Sequence, residues 1–382
     1  MMLRIYATLL LLISSSVVAC EFESVTFHRD FSGAALESCE QKGKFEYDLW
    51  VKPEDTPINN SAWYAFKVSA KTPQTVYINL KYRWEGYHRY PPKISYDGSN
   101  WQLLAYEPKM AKIDDREREI SAHFKLAVGE KPVWVSAQEV IDLEGYDAKI
   151  ASWVESGQLN KYQISESVKK RPIWAVESNA ETNNWLVLIG RQHPPEVTGA
   201  LAMLPFVDTV LSNLSIAKQF REQYNILIVP VVNPDGVELG HWRHNLGSKD
   251  LNRDWAERSQ PETRGIHNRL QEIVADGGKI VFAVDFHSTW KNLFYTMPTD
   301  YKNIENPDFS ETWLANLGKL LPTFEVDERP GVSRNPGVFK QYIADTYNVH
   351  SVTYEVGDHA DRNEIAVVAK SSAMLLMKQM LD

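Results

Sequence analysis

The 382-residue sequence is poor in cysteine, with only Cys20 and Cys39. Two thiols cannot build a multiply cross-linked scaffold or a cysteine-rich zinc site. It also lacks an excess of basic charge: 41 Lys and Arg face 50 Asp and Glu, a formal net charge of −9. That balance argues against nucleic acid as a partner, because counterion displacement needs a basic surface. There is no internal repeat and no low-complexity segment. Beyond residue 19 no apolar run approaches the ~20 residues that span a bilayer. What remains is 43% hydrophobic and 24% charged, an ordinary globular composition that excludes disorder, collagen and coiled coil as the main state. The length predicts two domains. The 12 tryptophans predict large packed or ligand-facing surfaces.

Residues 1–19 read as a secretory signal peptide: a single charge at Arg4, an apolar run from Ile5 to Ile13, then small residues ending at Ala19. The mature chain is therefore expected to be exported, to the periplasm or the medium, with no transmembrane segment once the leader is removed. Cys20 then has two options. Val17-Val18-Ala19-Cys20 is an acceptable lipobox, which would give Cys20 a lipid anchor. Alternatively Cys20 pairs with Cys39 in an oxidising compartment. Strand-like sequence resumes at once with Phe22, Val25 and Phe27, without a polar tether, and this favours the disulfide.

The rest divides into two styles. From 20 to 150 the pattern has period two. Val76 to Trp84 alternates apolar and polar residues, as do Tyr64, Phe66 and Val68. Ile94-Ser95-Tyr96 and Trp101-Gln102-Leu103-Leu104 flank the turn residues Asp97-Gly98-Ser99-Asn100, a hairpin signal. Short strands at this spacing predict an antiparallel β-sandwich. His28, His88 and His123 are isolated there and read as surface or packing histidines. From 151 to 382, apolar strands alternate with helical segments. Trp185–Gly190, Ile226–Val232, Lys279–Phe286 and Ser351–Tyr354 read as strands buried on both faces, and Leu201, Leu204, Val207 and Leu211 follow the first at helical spacing. Each strand runs into a polar cluster at its carboxyl end, where open α/β sheets place their sites.

Those clusters carry the chemistry. His193-Pro194-Pro195-Glu196 follows the first α/β strand, and Asp285-Phe286-His287 closes the third. Two histidines and a glutamate form a common catalytic zinc set that leaves a position open for water. Asn233-Pro234-Asp235-Gly236 is a turn, followed by Arg243 and by Asp250-Leu251-Asn252-Arg253. Arginine holds a carboxylate through two parallel hydrogen bonds, so this loop suits the free C-terminus of a peptide. Glu355, in Tyr354-Glu355-Val356-Gly357, could accept a proton from a metal-activated water.

The ordered set His-x-x-Glu, Asn-Pro-Asp-Gly, Asp-x-Asn-Arg, Asp-Phe-His, Tyr-Glu resembles the M14 family of zinc metallocarboxypeptidases. Ser61-Ala62-Trp63-Tyr64-Ala65-Phe66 and the β-rich first half resemble its cytosolic-carboxypeptidase-like branch, here in a bacterial exported form. The resemblance implies an N-terminal antiparallel β-sandwich followed by an α/β mixed-sheet catalytic domain. It implies one zinc ion per chain, held by His193, Glu196 and His287, and Glu355 as general base. It assigns Asn252 and Arg253 to the substrate's terminal carboxylate and Arg243 to the scissile carbonyl. Asp250 would orient the His193 ring.

One departure from the family pattern concerns a mobile tyrosine. The corresponding stretch, Gly331 to Val338, contains none, and Tyr342 is the nearest. In relatives a residue about fifteen positions before the catalytic glutamate lines the specificity pocket. By count this is Lys340, which would favour an acidic C-terminal residue. His241 and His244 read as cleft lining or surface, and Arg362 and Asp358 have no assigned role. The expected partner is a peptide with a free C-terminal carboxylate. The same clamp would serve a cell-wall muropeptide, and a catalytically silent peptide-binding relative is a third reading. No oligomeric state is implied.

Overall fold

The computed structural model describes residues 18–382 except Asp114, Ser156, Gln158, Lys302 and Asn303. The expected signal peptide lies outside the described residues but for its last two positions. Two sheets form the N-terminal half. The six-stranded sheet runs Val18–Glu21, Val25–His28, Ala65–Ala70, Val133–Ser136, Lys93–Ser95, Gln102–Leu103, antiparallel throughout. The five-stranded sheet runs Ser38–Gly43, Glu46–Val51, Gln74–Tyr82, Arg116–Val128, Glu107–Ile113. It is antiparallel in every pair but one. Glu46–Val51 and Gln74–Tyr82 run parallel, because the chain between them crosses to the other sheet through Ala65–Ala70, and such a crossover permits parallel pairing.

The period-two pattern explains the packing. Val76, Ile78 and Leu80 face inward and are buried, whereas Tyr77 points to solvent. They meet Phe27, Phe66, Val68 and Val135 of the opposite sheet in one core. Each such buried side chain contributes about 1.5–3 kcal/mol. The expected hairpin is present, with Lys93 opposite Leu103. Its turn is held by Asp97, whose carboxylate accepts from the amides of Ser99 and Asn100. Cys20 and Cys39 are bonded to each other, joining the outer strand of one sheet to the outer strand of the other. A cross-link closing a short loop stabilises by about 3 kcal/mol. Cys39→Ser is therefore expected to lower the melting temperature. The mass of the intact chain is expected to rise on reduction by the pair of hydrogens added, whereas a lipid on Cys20 would preclude that gain.

The helix Leu143–Val154 runs across the expected domain boundary at residue 150. Asp142 caps it by accepting from the Gly145 amide, and Tyr146, Ile150 and Trp153 form its buried face. The catalytic half is an eight-stranded mixed sheet ordered Leu159–Glu166, Pro172–Ser178, Asn225–Val229, Asn184–Gly190, Lys279–Thr289, Ser351–Gly357, Leu293–Thr296, Glu328–Pro330. The third to sixth of these strands are parallel. Leu186, Val187, Leu188 and Ile189 are all fully buried, as the continuous apolar run requires of a strand covered on both faces. From Asn184–Gly190 the chain first moves to one neighbour, Asn225–Val229, and later to the other, Lys279–Thr289. The sheet order therefore reverses there, and a crevice opens at the strand ends.

Candidate metal centre and active-site cavity

The loop after Asn184–Gly190 carries His193 and Glu196. Arg191 opens it with a positive φ of 52°, a conformation that costs a side-chain-bearing residue about 1–2 kcal/mol. Its own side chain offsets that cost. Nη2 donates to the Pro194 carbonyl at 2.8 Å and Nη1 to the Tyr146 hydroxyl at 3.1 Å, so the loop is closed from within. Helix Val197–Val210 starts directly after Glu196. Gly199 lets that helix lie against the strand bearing His287, since a Cβ there would come within 2.5 Å of the His287 carbonyl oxygen.

His193, Glu196 and His287 converge, with one ligand atom from each within 4.8 Å of the others. Nδ1 of His193 lies 2.8 Å from Glu196 Oε1, and Nδ1 of His287 lies 2.7 Å from Oε2. The far nitrogens are held by carboxylates: His193 Nε2 by Asp250 at 2.8 Å and His287 Nε2 by Asp285 at 2.8 Å. A carboxylate accepts, so each Nε2 carries a proton and each Nδ1 is turned toward Glu196. The donor set suits zinc: two imidazole nitrogens and one carboxylate, all buried. Burial works to raise the Glu196 pKa, but the His193 and His287 rings outweigh it and hold the carboxyl well below its usual range. Burial likewise opposes charge on Asp250, and His193, Arg243 and Arg253 overcome it.

Glu355 is the register partner of His287 on the adjacent parallel strand. Both strands continue two residues past these positions, to Thr289 and Gly357, so the two residues sit inside the sheet rather than at its end. Burial pushes the Glu355 carboxyl up to about 7, and Glu196 adds to this against the opposing pull of the histidines. Its Oε2 has no hydrogen-bond partner among the described residues. That leaves a buried acceptor free beside the metal set.

A cavity of about 500 Å³ opens over these groups and is also lined by Arg243, Asn252, Arg253 and Lys340. Arg243 Nε donates to Asp250 at 2.7 Å, so one carboxylate fixes both this arginine and the His193 ring. Asn252 Oδ1 accepts from the Phe339 amide at 2.9 Å, which leaves its NH₂ on the site side, 3.2 Å from His287 Nε2. Arg253 is exposed, with one nitrogen donating to the Asn252 carbonyl at 2.6 Å. Lys340 is 5% exposed. Its ammonium donates to the carbonyls of Thr296 at 2.9 Å and Gly331 at 2.6 Å, and burial lowers its pKa to about 8.

The structure does not bring every candidate together. Tyr342 is 4% exposed and packs on Trp255, its hydroxyl 2.7 Å from His267 Nδ1. It lies outside the cavity lining. Tyr295 lines the cavity instead, its hydroxyl pKa raised by burial and then by the Glu355 charge. His241 and His244 bind a carbonyl and Asp55 and do not line the cavity.

Several groups here carry no local sequence signal. The carboxylate of Glu54, from the N-terminal half, accepts the backbone amides of Trp242 at 2.7 Å, Arg243 at 2.9 Å and His244 at 2.5 Å. The Trp242 indole inserts into the N-terminal core. Asp358 and Arg362, without a role from sequence, bind Arg89 and Glu139 across the junction of the two halves. Asp285 was legible in part, since residues i and i+2 of a strand share a face. Its oxygen is shared with Gln192 Nε2 at 2.7 Å, and Gln192 in turn accepts from the Trp255 indole at 2.9 Å.

Comparison with known proteins agrees with this architecture. The family model Peptidase_M14, described as zinc carboxypeptidase, matches residues 154–362, more than half of the chain. Cytosolic carboxypeptidase 6 of Mus musculus is 26% identical over 302 residues, covering 71% of this chain and 54% of its own. The chain thus spans about half the length of that curated relative. An uncharacterized protein of Zymomonas mobilis is 23% identical over 358 residues, 88% of this chain and 89% of its own. A metallo-carboxypeptidase structure from Burkholderia cenocepacia superposes with a TM-score of 0.77 at 16% identity, covering 94% of this chain and 99% of that one. At that identity the likeness speaks for the fold, including the N-terminal sheets. The family match rests on the sequence that carries the His193, Glu196 and His287 cluster, and the chain belongs to the zinc carboxypeptidase family.

Proposed function

We propose that this protein removes the C-terminal residue from peptides by zinc-assisted hydrolysis, with a preference for an acidic residue. The observation that carries this reading is the convergence of His193, Glu196, His287, Glu355, Arg243, Asn252 and Arg253 on one cavity. Zinc would be held by Nδ1 of His193, Nδ1 of His287 and the Glu196 carboxylate. When bound, it supplies Lewis acidity, lowering the pKa of a coordinated water to about 7. Glu355 takes the proton of the attacking water on its free oxygen and returns it to the leaving amine. Arg243, held by Asp250, donates to the oxyanion that develops on the scissile carbonyl. Asn252 and Arg253 hold the terminal carboxylate, so only the last residue is released. The products are a free amino acid and a peptide shorter by one residue. The leader-like first segment and the Cys20–Cys39 bond support an exported setting.

The acidic preference follows from charge bookkeeping in the cavity. Arg89, Arg243 and Arg329 line it but are each paired, with Asp358, Asp250 and Asp327. Arg253 and Lys340 have no carboxylate at ion-pair distance among the described residues; their side chains bind backbone carbonyls, Lys340 also Met297 Sδ. A C-terminal Asp or Glu brings two carboxylates to two unmatched cations.

The test is release of C-terminal residues by the zinc-loaded protein from matched peptides ending in Glu or in Gln. Glu release is expected to dominate, and Lys340→Met is expected to level the two rates. Lys340 is charged below about pH 8 and neutral above it, while the substrate carboxylate stays ionised. The Glu-to-Gln ratio of kcat/KM is therefore expected to fall as pH rises through 8, and the ratio cancels every titration common to both substrates. A ratio flat from pH 7 to 10 would remove Lys340 from specificity, and a protein that releases neither residue would remove the reading itself.

A further inference from the structure

The N-terminal half reaches the catalytic cavity. Asn59 and Arg89, which precede His193 by more than a hundred residues, stand in its lining beside His193 and Glu196. Arg89 is held in place from both halves. Its Nε donates to Asp358 Oδ2 at 2.9 Å and Nη2 to Oδ1 at 3.3 Å, a two-point clasp, and Nη1 donates to Ser61 Oγ at 2.5 Å. Asp358 is itself fixed: its amide donates to the Thr289 carbonyl at 2.7 Å, and its carbonyl accepts from Gln138 Nε2 at 2.9 Å. It stands just past the strand that carries Glu355. Arg362 binds Gln138 and Glu139, which closes the same junction.

We propose that Arg89 is a substrate-positioning residue that binds a backbone carbonyl of the peptide on the amino side of the scissile bond, so that the N-terminal domain forms part of the peptide-binding cleft. The inference rests on the carboxypeptidase reading above. A guanidinium has five N–H groups, and the contacts to Asp358 and Ser61 use three. The other two have no acceptor among the described residues, and Arg89 lines the cavity. Its charge is already matched by Asp358, which sets it apart from Arg253 and Lys340. A matched arginine gains little from a second carboxylate, whereas a neutral carbonyl accepts its spare hydrogens without bringing uncompensated charge into a half-buried site. A carbonyl recurs in every peptide whatever its side chains. The contact therefore reads the length of the substrate and not its composition. Because the clasp fixes the guanidinium before substrate arrives, little side-chain entropy is lost on binding.

The experiment is a ladder of N-acetylated peptides of two to five residues with one common C-terminal residue, assayed with the zinc-loaded full chain. Wild type is expected to show a step of about tenfold in kcat/KM at the length that first supplies the bound carbonyl, the worth of one hydrogen bond to a charged donor. In Arg89→Gln the step is expected to vanish, mostly through KM. Asp358→Asn, which keeps the arginine but loosens its clasp, is expected to shrink it. Zinc content and melting temperature are measured alongside. An Arg89→Gln protein that melts lower but keeps the wild-type step would show a purely structural clasp and overturn the proposal. So would a wild-type ladder without a step. If Arg89→Gln does not fold, an undiminished step in Asp358→Asn overturns it equally. A wild type that cleaves no member of the ladder would instead overturn the functional reading beneath it.

Discussion

Replacing Glu355 by glutamine is expected to lower kcat on a C-terminal substrate by about 10²–10⁴-fold, with zinc content and fold unchanged. The side chain keeps its size and loses only the ability to accept and return a proton. Its position makes the loss specific: it stands opposite His287 in the strand register, and its Oε2 has no other partner among the described residues. Burial pushes its carboxyl up to about 7, and no cationic side chain lies at ion-pair distance from it among the described residues, so the change breaks no salt bridge. A bound metal would add positive charge nearby, drawing that pKa down again and keeping the proposed base ionised at neutral pH. Rapid-quench kinetics on a peptide ending in Glu, with zinc measured on the same sample, check the result. A variant within tenfold of wild type would place the base elsewhere, with Tyr295 as the next group to test because it shares the cavity.

The second large effect is expected at the metal. His287→Ala removes one of the three proposed protein ligands and is expected to abolish stoichiometric zinc after dialysis, and activity with it. The fold is expected to survive, because the strand's support comes from Phe282, Val284 and Phe286 in the apolar core. Asp285→Asn is a graded companion. It leaves all three ligands in place but weakens the acceptor that holds His287 Nε2 at 2.8 Å, and is expected to lower zinc affinity about 10–100-fold. Competition with a chromophoric chelator reads both. Full zinc occupancy in His287→Ala would exclude the His193, Glu196 and His287 set as the metal site.

Much of this site is legible without coordinates, for a local reason. Site residues are announced by the apolar runs they follow, and His193, His287 and Glu355 each stand at or just beyond such a run, although the strands of the last two continue two residues further. The His-x-x-Glu spacing survives as a turn because two prolines restrict the residues between its ends. Lys340 is found by counting back from Glu355, and the cavity includes it. Tyr342, to which the sequence assigned no role, gains none in the fold, for an equally physical reason. Nearness in sequence located it, but helix Phe339–Tyr347 turns its ring away from the cavity and into the core beside Trp255.

The pieces that sequence patterns leave silent are those made by contact between remote segments. Glu54 is an unremarked acidic residue in a loop until the sheets bring it under the amides of residues 242–244. Arg89 and Asp358 are 269 positions apart, and no periodicity links them. From sequence alone, this chain's family, its zinc-ligand types and its two-part organisation could be read, because residue chemistry and hydrophobic period are properties of short stretches. Only the tertiary structure decided that Asp285 orients the second histidine, which cations stay unmatched, and that the N-terminal sheets reach into the cavity. Those depend on sheet register and on the docking of two cores, where the free energy comes from surfaces that meet only in the folded chain.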